Sequence, residues 1–195
     1  MQPSFVVHAA SGLIEPASVR LSPNCDARPA GVEPDLIIIH GISLPPGEFG
    51  GTEIEDFFMS RLDRDSHPYF KQIHDLRVSA HLLIRRDGEL IQFVPFTKRA
   101  WHAGESEFCA RKNCNDYSIG VELEGEDNTP YDDRQYDVLV AVLTALIETY
   151  AAISPREIAA HSDVAAGRKT DPGPVFDWLR LYDDLSAGRI GPNAR

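Results

Sequence analysis

Two histidines and one aspartate of this 195-residue chain have the side chains and the positions that could bind a metal ion. His40 ends the apolar run DLIIIH, His161 ends the shorter run EIAAH, and Asp171 lies in the segment KTDPGP. A catalytic zinc site uses three ligands of this kind and leaves a fourth position for water, whose pKa the metal lowers to about 7. A zinc hydrolase is therefore one chemistry that these residues could support. Because the chain contains seven histidines, trios that include His81 or His102 remain open at this point.

Two further kinds of side chain could move a proton and stabilise charge in such a hydrolysis. Glu122 and Glu124 lie in the alternating segment YSIGVELEG and share one face of the predicted strand, so the residues alone do not choose between them. Lys169 precedes Asp171 by two residues, and in an extended segment both side chains point the same way. A glutamate near the water and a lysine near the developing oxyanion are groups that amide hydrolysis can use.

The elements that must hold these residues alternate between strand and helix. Apolar and alternating runs predict strands over 35–40, 117–125 and 157–161, and a hairpin over 79–95 that turns at Asp87-Gly88. Helical spacing predicts helices over 52–62, over 132–150 with a capping box of Asp132 and Gln135, and in PVFDWLRLYDDL. This order predicts an α/β fold with a mixed central β-sheet flanked by helices, in which ligand sites lie beyond the strand ends.

Length and composition predict a single domain over 1–195. Hydrophobic residues make up 43% of the chain and charged residues 25%, which suits one domain with a core of its own. Residues 1–34 contain several prolines and little periodicity, so we expect them to wrap the surface as irregular structure. Residues 186–195 are expected to form a loose tail.

Charge and N-terminal sequence narrow the partners and the location. The net charge of −11 and a pI near 5.0 argue against binding to nucleic acid or to anionic membranes. The N-terminal residues lack the basic and apolar stretches of a secretory signal, and no segment reaches the roughly 20 apolar residues that span a bilayer. We therefore expect a cytoplasmic protein. The three cysteines, Cys25, Cys109 and Cys114, have no CxxC spacing and suit a reducing compartment.

Five segments together resemble one enzyme family. They are HGISLPPGEFGG, HPYF, LRVSAHLLIRRDGELIQFVPFTKRAWHAG, CNDYSIGVELEG and HSDVAAGRKTDPGP. In their order and spacing they resemble the AmpD-type N-acetylmuramoyl-L-alanine amidases. The resemblance implies the zinc amidase fold, which phage lysozyme-type amidases and peptidoglycan recognition proteins share.

The resemblance also implies a role for each residue that matches a family motif. The zinc ligands of the family match His40, His161 and Asp171, for one Zn²⁺ per chain. The general base matches Glu122, and the residue that stabilises the transition state matches Lys169.

Two further matches imply substrate contacts. Arg77 matches a position associated with the stem peptide, where a guanidinium can hold the carboxylates of a diaminopimelate residue. Trp101 matches a position associated with the sugar, on which an indole can stack. His81 and His102 lie in matching segments, and we expect them to support the site rather than to bind zinc.

The chain departs from the family at two positions that could contact substrate. Gly41 stands where many members have an asparagine, and Asn113 stands where an arginine is usual. A polar contact is therefore expected to be missing at the first position. At Asn113 the resemblance no longer implies a second contact with a substrate carboxylate, although Arg111 and Lys112 lie just upstream.

The resemblance implies hydrolysis of the amide between N-acetylmuramic acid and the L-alanine of the stem peptide. The expected substrate is a soluble 1,6-anhydro-muropeptide in cytoplasmic peptidoglycan recycling, where its removal would also restrain β-lactamase induction. We expect a monomer. Two alternatives remain: an autolysin or endolysin that acts on polymeric peptidoglycan, and a non-catalytic muropeptide-binding module. The second typically lacks a metal ligand, whereas this chain has all three candidates.

Overall fold

Short strands and five helices make up the computed structural model, which describes residues 3–189. The strands in this range are β1 (Val6–His8), β2 (Leu13–Glu15), β3 (Ser18–Val19), β4 (Cys25–Ala27), β5 (Leu36–Ile42), β6 (Leu82–Ile84), β7 (Leu90–Gln92), β8 (Lys98–Ala100), β9 (Glu107–Phe108), β10 (Arg111–Lys112), β11 (Ser118–Glu124) and β12 (Ile158–Ala160). The helices are α1 (Glu53–Phe58), α2 (Phe70–Ile73), α3 (Asp133–Thr149), α4 (His161–Val164) and α5 (Trp178–Arg189).

The central sheet is mixed, as the sequence predicts. Its six strands follow the order β12-β5-β11-β6-β7-β3. The first four are parallel to one another, β7 pairs antiparallel with β6 across the predicted hairpin, and β3 adds to the edge parallel to β7. The two long strands, β5 and β11, lie side by side in the middle, where both of their faces are covered. Their carboxyl ends therefore meet at one edge of the sheet.

Helices cover the two faces of this sheet. On one face α3 and α5 pack against the strands, with Leu139, Leu143 and Leu185 in the same buried cluster as Ile39 and Val121. On the other face Phe57 and Phe70, from α1 and α2, share a cluster with Leu83 of β6. Because side chains alternate along β5, Ile37 and Ile39 face α3 and His40 projects on the opposite face.

The N-terminal segment differs from the expected irregular wrap. Within residues 3–34, β1 pairs with β2, β3 joins the central sheet and β4 pairs with the distant β8. The buried Gln92 side chain ties this segment to the sheet, because it accepts a hydrogen bond from the Ile14 amide at 3.0 Å and donates one to the Gly12 carbonyl at 2.8 Å. These partners lie about 80 residues away in the chain, where local periodicity does not reach.

Three other elements have bounds that differ from the sequence prediction: a helix, a strand and the C-terminal tail. The helix predicted over 52–62 ends at Phe58, followed by Ser60 in the left-handed region at φ 57°. The strand predicted over 157–161 ends at Ala160, directly before α4 begins. The Asp163 side chain in the first turn of α4 accepts a hydrogen bond from the Ala160 amide at 3.0 Å. Residues 186–189 belong to α5 rather than to a tail, and the rest of that predicted tail, 190–195, lies outside the described residues.

The helix predicted over 132–150 is confirmed as α3, and it begins with the predicted capping box of Asp132 and Gln135. None of the helices within residues 3–189 combines the length and the apolar character that crossing a bilayer requires.

Candidate metal centre and catalytic cleft

The sheet brings His40 and His161 to the same level on neighbouring strands. His40 lies near the carboxyl end of β5, and the register pairs Ile39 with Ala160, the residue directly before His161. From His161 the chain runs through α4 and a turn, and then returns to Asp171, whose carbonyl accepts a hydrogen bond from the Ser162 amide at 3.0 Å. Parallel pairing and one closed loop thus bring together residues that are far apart in the sequence.

Three polar atoms converge at this point. His40 Nδ1 lies 2.9 Å from His161 Nδ1, His161 Nδ1 lies 2.9 Å from Asp171 Oδ2, and His40 Nδ1 lies 3.4 Å from the same oxygen. Both histidines are buried and Asp171 is partly buried. Among the described residues, His40, His161 and Asp171 form the group that could hold a metal ion, and we call these three residues the metal group.

The electrostatics of the group suit a cation. Burial lowers the pKa of His40 to about 4, so its imidazole is neutral near pH 7 and can offer a lone pair. Burial alone would raise the pKa of Asp171, but hydrogen bonds with His161 and His40 outweigh burial and lower that pKa below its usual range. Two imidazole nitrogens and one carboxylate oxygen, all directed at one point, are a donor set that fits zinc and leaves room for a fourth ligand.

Glu122 lies next to the metal group. It pairs with His40 across the β11–β5 register, and its Oε1 lies 3.9 Å from His40 Nδ1. Its Oε2 is buried and has no hydrogen-bond partner among residues 3–189. Burial, together with the negative charge of Asp171, raises the pKa of Glu122 well above its usual value. This carboxyl group therefore holds a proton more readily than an exposed glutamate does.

Glu124, the alternative that the sequence left open, has different partners. Its Oε1 accepts hydrogen bonds from the Gly50 amide at 2.7 Å and from Arg85 at 3.3 Å, and its Oε2 accepts one from the Arg86 amide at 3.1 Å. Both carboxylate oxygens are thus occupied. Of the two glutamates, Glu122 is the one that lines the cleft beside the histidines.

That cleft has a volume of about 600 Å³ and two unlike walls. One wall is polar and is formed by the metal group, Glu122 and the exposed Lys169. The other wall is largely apolar and is formed by Phe57, Phe58, Tyr69, Ile73 and Leu76. A ligand with one polar, reactive end and one apolar face fits such a cleft.

The two predicted substrate contacts have different positions. Trp101 is half-buried and lines the cleft. Arg77 is exposed, does not belong to the cleft lining, and donates a hydrogen bond to the His74 carbonyl at 3.4 Å. The structure thus places Trp101 in the same cleft as the metal group, whereas the exposed Arg77 is outside the cleft lining.

The departure at Gly41 has a physical reason. A Cβ atom at this position would overlap with the hydroxyl group of Tyr131, which donates a hydrogen bond to the Pro172 carbonyl at 2.9 Å. The space that a side chain would need is therefore filled by a tyrosine beside the Asp171 loop. Sequence reasoning missed Tyr131, because no local pattern links it to a residue 90 positions earlier.

Comparisons with known proteins agree on one family. A family model described as N-acetylmuramoyl-L-alanine amidase matches residues 30–174. The chain is 56% identical over 165 residues to the 1,6-anhydro-N-acetylmuramyl-L-alanine amidase AmpD of Enterobacter cloacae, which covers 85% of this chain and 88% of the relative.

Solved structures give the same result. A crystal structure of a selenomethionine AmpD derivative matches with a TM-score of 0.89 and 50% identity, over 92% of this chain and 99% of that one. The amidase AmiD from Escherichia coli, in complex with the substrate anhydro-N-acetylmuramic acid-L-Ala-D-γ-Glu-L-Lys, matches with a TM-score of 0.58 and 28% identity, over 80% of this chain and 60% of that one.

Proposed function

The chain belongs to the N-acetylmuramoyl-L-alanine amidase family, and on that premise we propose that it is a zinc-dependent amidase specific for 1,6-anhydro-muropeptides. It would cleave the amide between the lactyl group of the sugar and L-alanine. The observation that carries this proposal is the convergence of His40, His161 and Asp171 within one group, with Glu122 against it. A non-catalytic binding module would have no need for this arrangement.

The proposed metal ligands are His40 and His161, each through Nδ1, and Asp171 through Oδ2. Zinc bound there supplies positive charge that lowers the pKa of water and polarises an amide carbonyl. The chain's own contribution is to hold the three ligand atoms at fixed separations within a buried site.

Glu122 is the proposed proton carrier. Its carboxyl group lines the cleft beside the metal group, and its Oε2 has no hydrogen-bond partner among residues 3–189, so the carboxyl group is free to accept a proton from the attacking water. The raised pKa of the carboxyl group lets it keep that proton until the C–N bond breaks, and then deliver it to the nitrogen of L-alanine. Lys169, in the same wall, is proposed to stabilise the oxyanion that develops on the carbonyl oxygen.

The rest of the cleft is proposed to bind the substrate. Trp101, which lines the cleft, is proposed to stack on the anhydro sugar. Arg77 remains our proposal for a contact with the diaminopimelate end of the stem peptide, which must then extend beyond the cleft wall to reach it. The AmiD complex, with a sugar joined to a tripeptide, supports a ligand of that shape.

We also propose that the enzyme acts as a monomer in the cytoplasm, in the recycling of soluble wall fragments. The AmpD name of the relative, which specifies the 1,6-anhydro sugar, supports the soluble substrate. The three cysteines are all free thiols, which suits a reducing compartment.

Metal analysis combined with an activity assay tests the chemistry. We expect about one zinc per chain in the wild type, and loss of both metal and anhydro-muropeptide hydrolysis in Asp171→Ala, because two protein ligands rarely hold a catalytic zinc. Asp137→Ala, which alters an exposed residue of α3, is the matched control and should keep both. Full turnover in zinc-free Asp171→Ala would exclude the mechanism.

A comparison of substrates tests the alternative. Soluble anhydro-muropeptide should be hydrolysed faster than intact sacculi at matched concentrations of cleavable bonds. The opposite order would favour an enzyme that acts on polymeric wall.

A further inference from the structure

Two consecutive residues, His102 and Ala103, contact both candidate ligand histidines on the side away from the metal group. His40 Nε2 lies 2.9 Å from His102 Nδ1, and His161 Nε2 lies 3.3 Å from the carbonyl oxygen of Ala103. One short segment between β8 and β9 therefore reaches two histidines that are 121 positions apart. The catalytic roles assigned above do not use this segment.

The direction of each hydrogen bond follows from the ligand atoms. A histidine that offers its Nδ1 lone pair to a metal must carry its hydrogen on Nε2. His40 then donates to His102 Nδ1, and His161 donates to the Ala103 carbonyl. His102 in turn carries its hydrogen on Nε2, which lies 3.2 Å from Ser118 Oγ. Each of these ring hydrogens thus has a defined acceptor.

The segment itself is fixed by Asn115. The side-chain oxygen of Asn115 accepts hydrogen bonds from the backbone amides of His102 at 3.2 Å and Ala103 at 2.8 Å. The carbonyl of Ala103 also accepts a hydrogen bond from Arg168, at 2.5 Å. Gly120 leaves space for the imidazole, because a Cβ there would lie 2.5 Å from Cγ and Nδ1 of His102. The ring thus packs directly on the backbone of β11.

We propose that the dipeptide His102–Ala103, held by Asn115, is a positioning unit that sets the tautomer and the orientation of both zinc-binding histidines. This inference rests on the proposed function, since it requires a metal at the group of His40, His161 and Asp171. Hydrogen bonds to the outer nitrogens of ligand histidines fix the ring orientation and raise the basicity of the ligand. Here a single side chain, Asn115, controls two such bonds through the backbone.

Asn115 variants test the unit without altering a ligand or a group in contact with one. Asn115→Ala removes the shared acceptor, and we expect zinc affinity to fall by about 10- to 100-fold in competition with a chelator. Asn115→Asp keeps an oxygen at the same position and should restore affinity close to that of the wild type. Asp116→Ala is the matched control. It alters the same turn and the Arg99 ion pair, but it leaves in place both hydrogen bonds that the Asn115 side chain accepts.

Substitution of Co²⁺ for zinc gives a second measurement, the absorption spectrum of the bound metal. A general loss of protein stability would not change this spectrum. The visible absorption of bound Co²⁺ reports ligand geometry, and we expect it to shift in Asn115→Ala and to match the wild type in Asn115→Asp. His102→Leu should shift it as well, whereas His102→Asn, which can place an oxygen near the lost Nδ1, should retain more of the wild-type spectrum. Near-ultraviolet circular dichroism of the metal-free proteins checks that each variant is folded.

The outcomes separate the inference from the proposed function. Wild-type zinc affinity and cobalt spectrum in a folded Asn115→Ala protein would overturn the positioning role and leave the amidase proposal intact. Equal losses in Asn115→Ala and Asp116→Ala would also overturn it, because the effect would then arise from the turn as a whole. A wild-type protein that binds no zinc would overturn the proposed function itself.

Discussion

At the scale of single residues, partners rather than residue types decide which groups can react. Glu122 and Glu124 lie two positions apart on one face of β11, and both are buried. The backbone amides of Gly50 and Arg86 fix the carboxylate of Glu124, and the Arg85 guanidinium balances its charge. Glu122 has no partner for its inner oxygen among residues 3–189 and faces the histidines. The same side chain thus forms a structural ion pair at position 124. At position 122 it lies beside the histidines with one oxygen unpaired among the described residues, and there we propose that it carries a proton.

Glutamine substitutions separate these two roles. Glu122→Gln should keep zinc and the free energy of unfolding, but lower turnover by a factor of about 10² to 10⁴, because the proton carrier is lost. Glu124→Gln should keep most of the turnover and lower the free energy of unfolding by about 1–3 kcal/mol, because Arg85 loses a charged partner. Turnover, bound zinc and urea unfolding are the measurements. The reverse pattern would mean that Glu124 is the catalytic glutamate.

At the scale of elements, the end of β5 packs closely against the segments on either side of the site. Tyr131, just before α3, fills the space above Gly41 and bonds to the Pro172 carbonyl, directly after Asp171. The residues that hold the Asp171 loop therefore include a strand glycine and a tyrosine from a third segment. This packing also explains why the chain has no side chain at position 41.

A double-mutant cycle measures this packing. Gly41→Ala should lower the free energy of unfolding by about 1–3 kcal/mol, because the new methyl group displaces the Tyr131 hydroxyl. Tyr131→Phe removes that hydroxyl, and a Cβ at 41 would then lie 3.6 Å from the nearest ring carbon, an ordinary contact. The double variant should therefore lose less stability than the sum of the single variants in urea unfolding. Strict additivity would show that the overlap does not control the effect.

At the scale of the whole molecule, a half-buried arginine joins the N-terminal segment to the sheet. Arg28 follows β4 and donates hydrogen bonds to the carbonyls of Phe96 at 3.0 Å, Asp116 at 2.9 Å and Ser118 at 2.8 Å. These acceptors lie on both sides of the positioning unit. The N-terminal strands are therefore part of the support of the site, although no proposed catalytic residue lies in them.

Replacing this arginine should weaken the whole fold. Arg28→Met keeps the length of the side chain but leaves four carbonyls without their charged donor, those of Phe96, Asn115, Asp116 and Ser118, so we expect a loss of about 3 kcal/mol or more in the free energy of unfolding. Arg64→Met is the control. Arg64 is exposed and lies 3.9 Å from Asp65, so its replacement should change stability by less than about 0.5 kcal/mol. Equal urea midpoints for Arg28→Met and the wild type would contradict the prediction.

The sequence by itself determined the local elements and the candidate chemistry. The capping box of α3, the turn at Asp87-Gly88 and the apolar run of β5 were predictable, because each signal depends on residues within a few positions of one another. The same holds for the identity of the groups that could bind a metal.

Only the tertiary structure decided which of those groups meet. The different surroundings of Glu122 and Glu124, the pairing of the N-terminal strands and the contacts of His102 all depend on partners that are distant in the chain. The two histidines of the metal group are 121 positions apart, and strand order and register bring them within 2.9 Å. Local patterns carry no information about such distances, because they arise only when separate elements pack into one sheet.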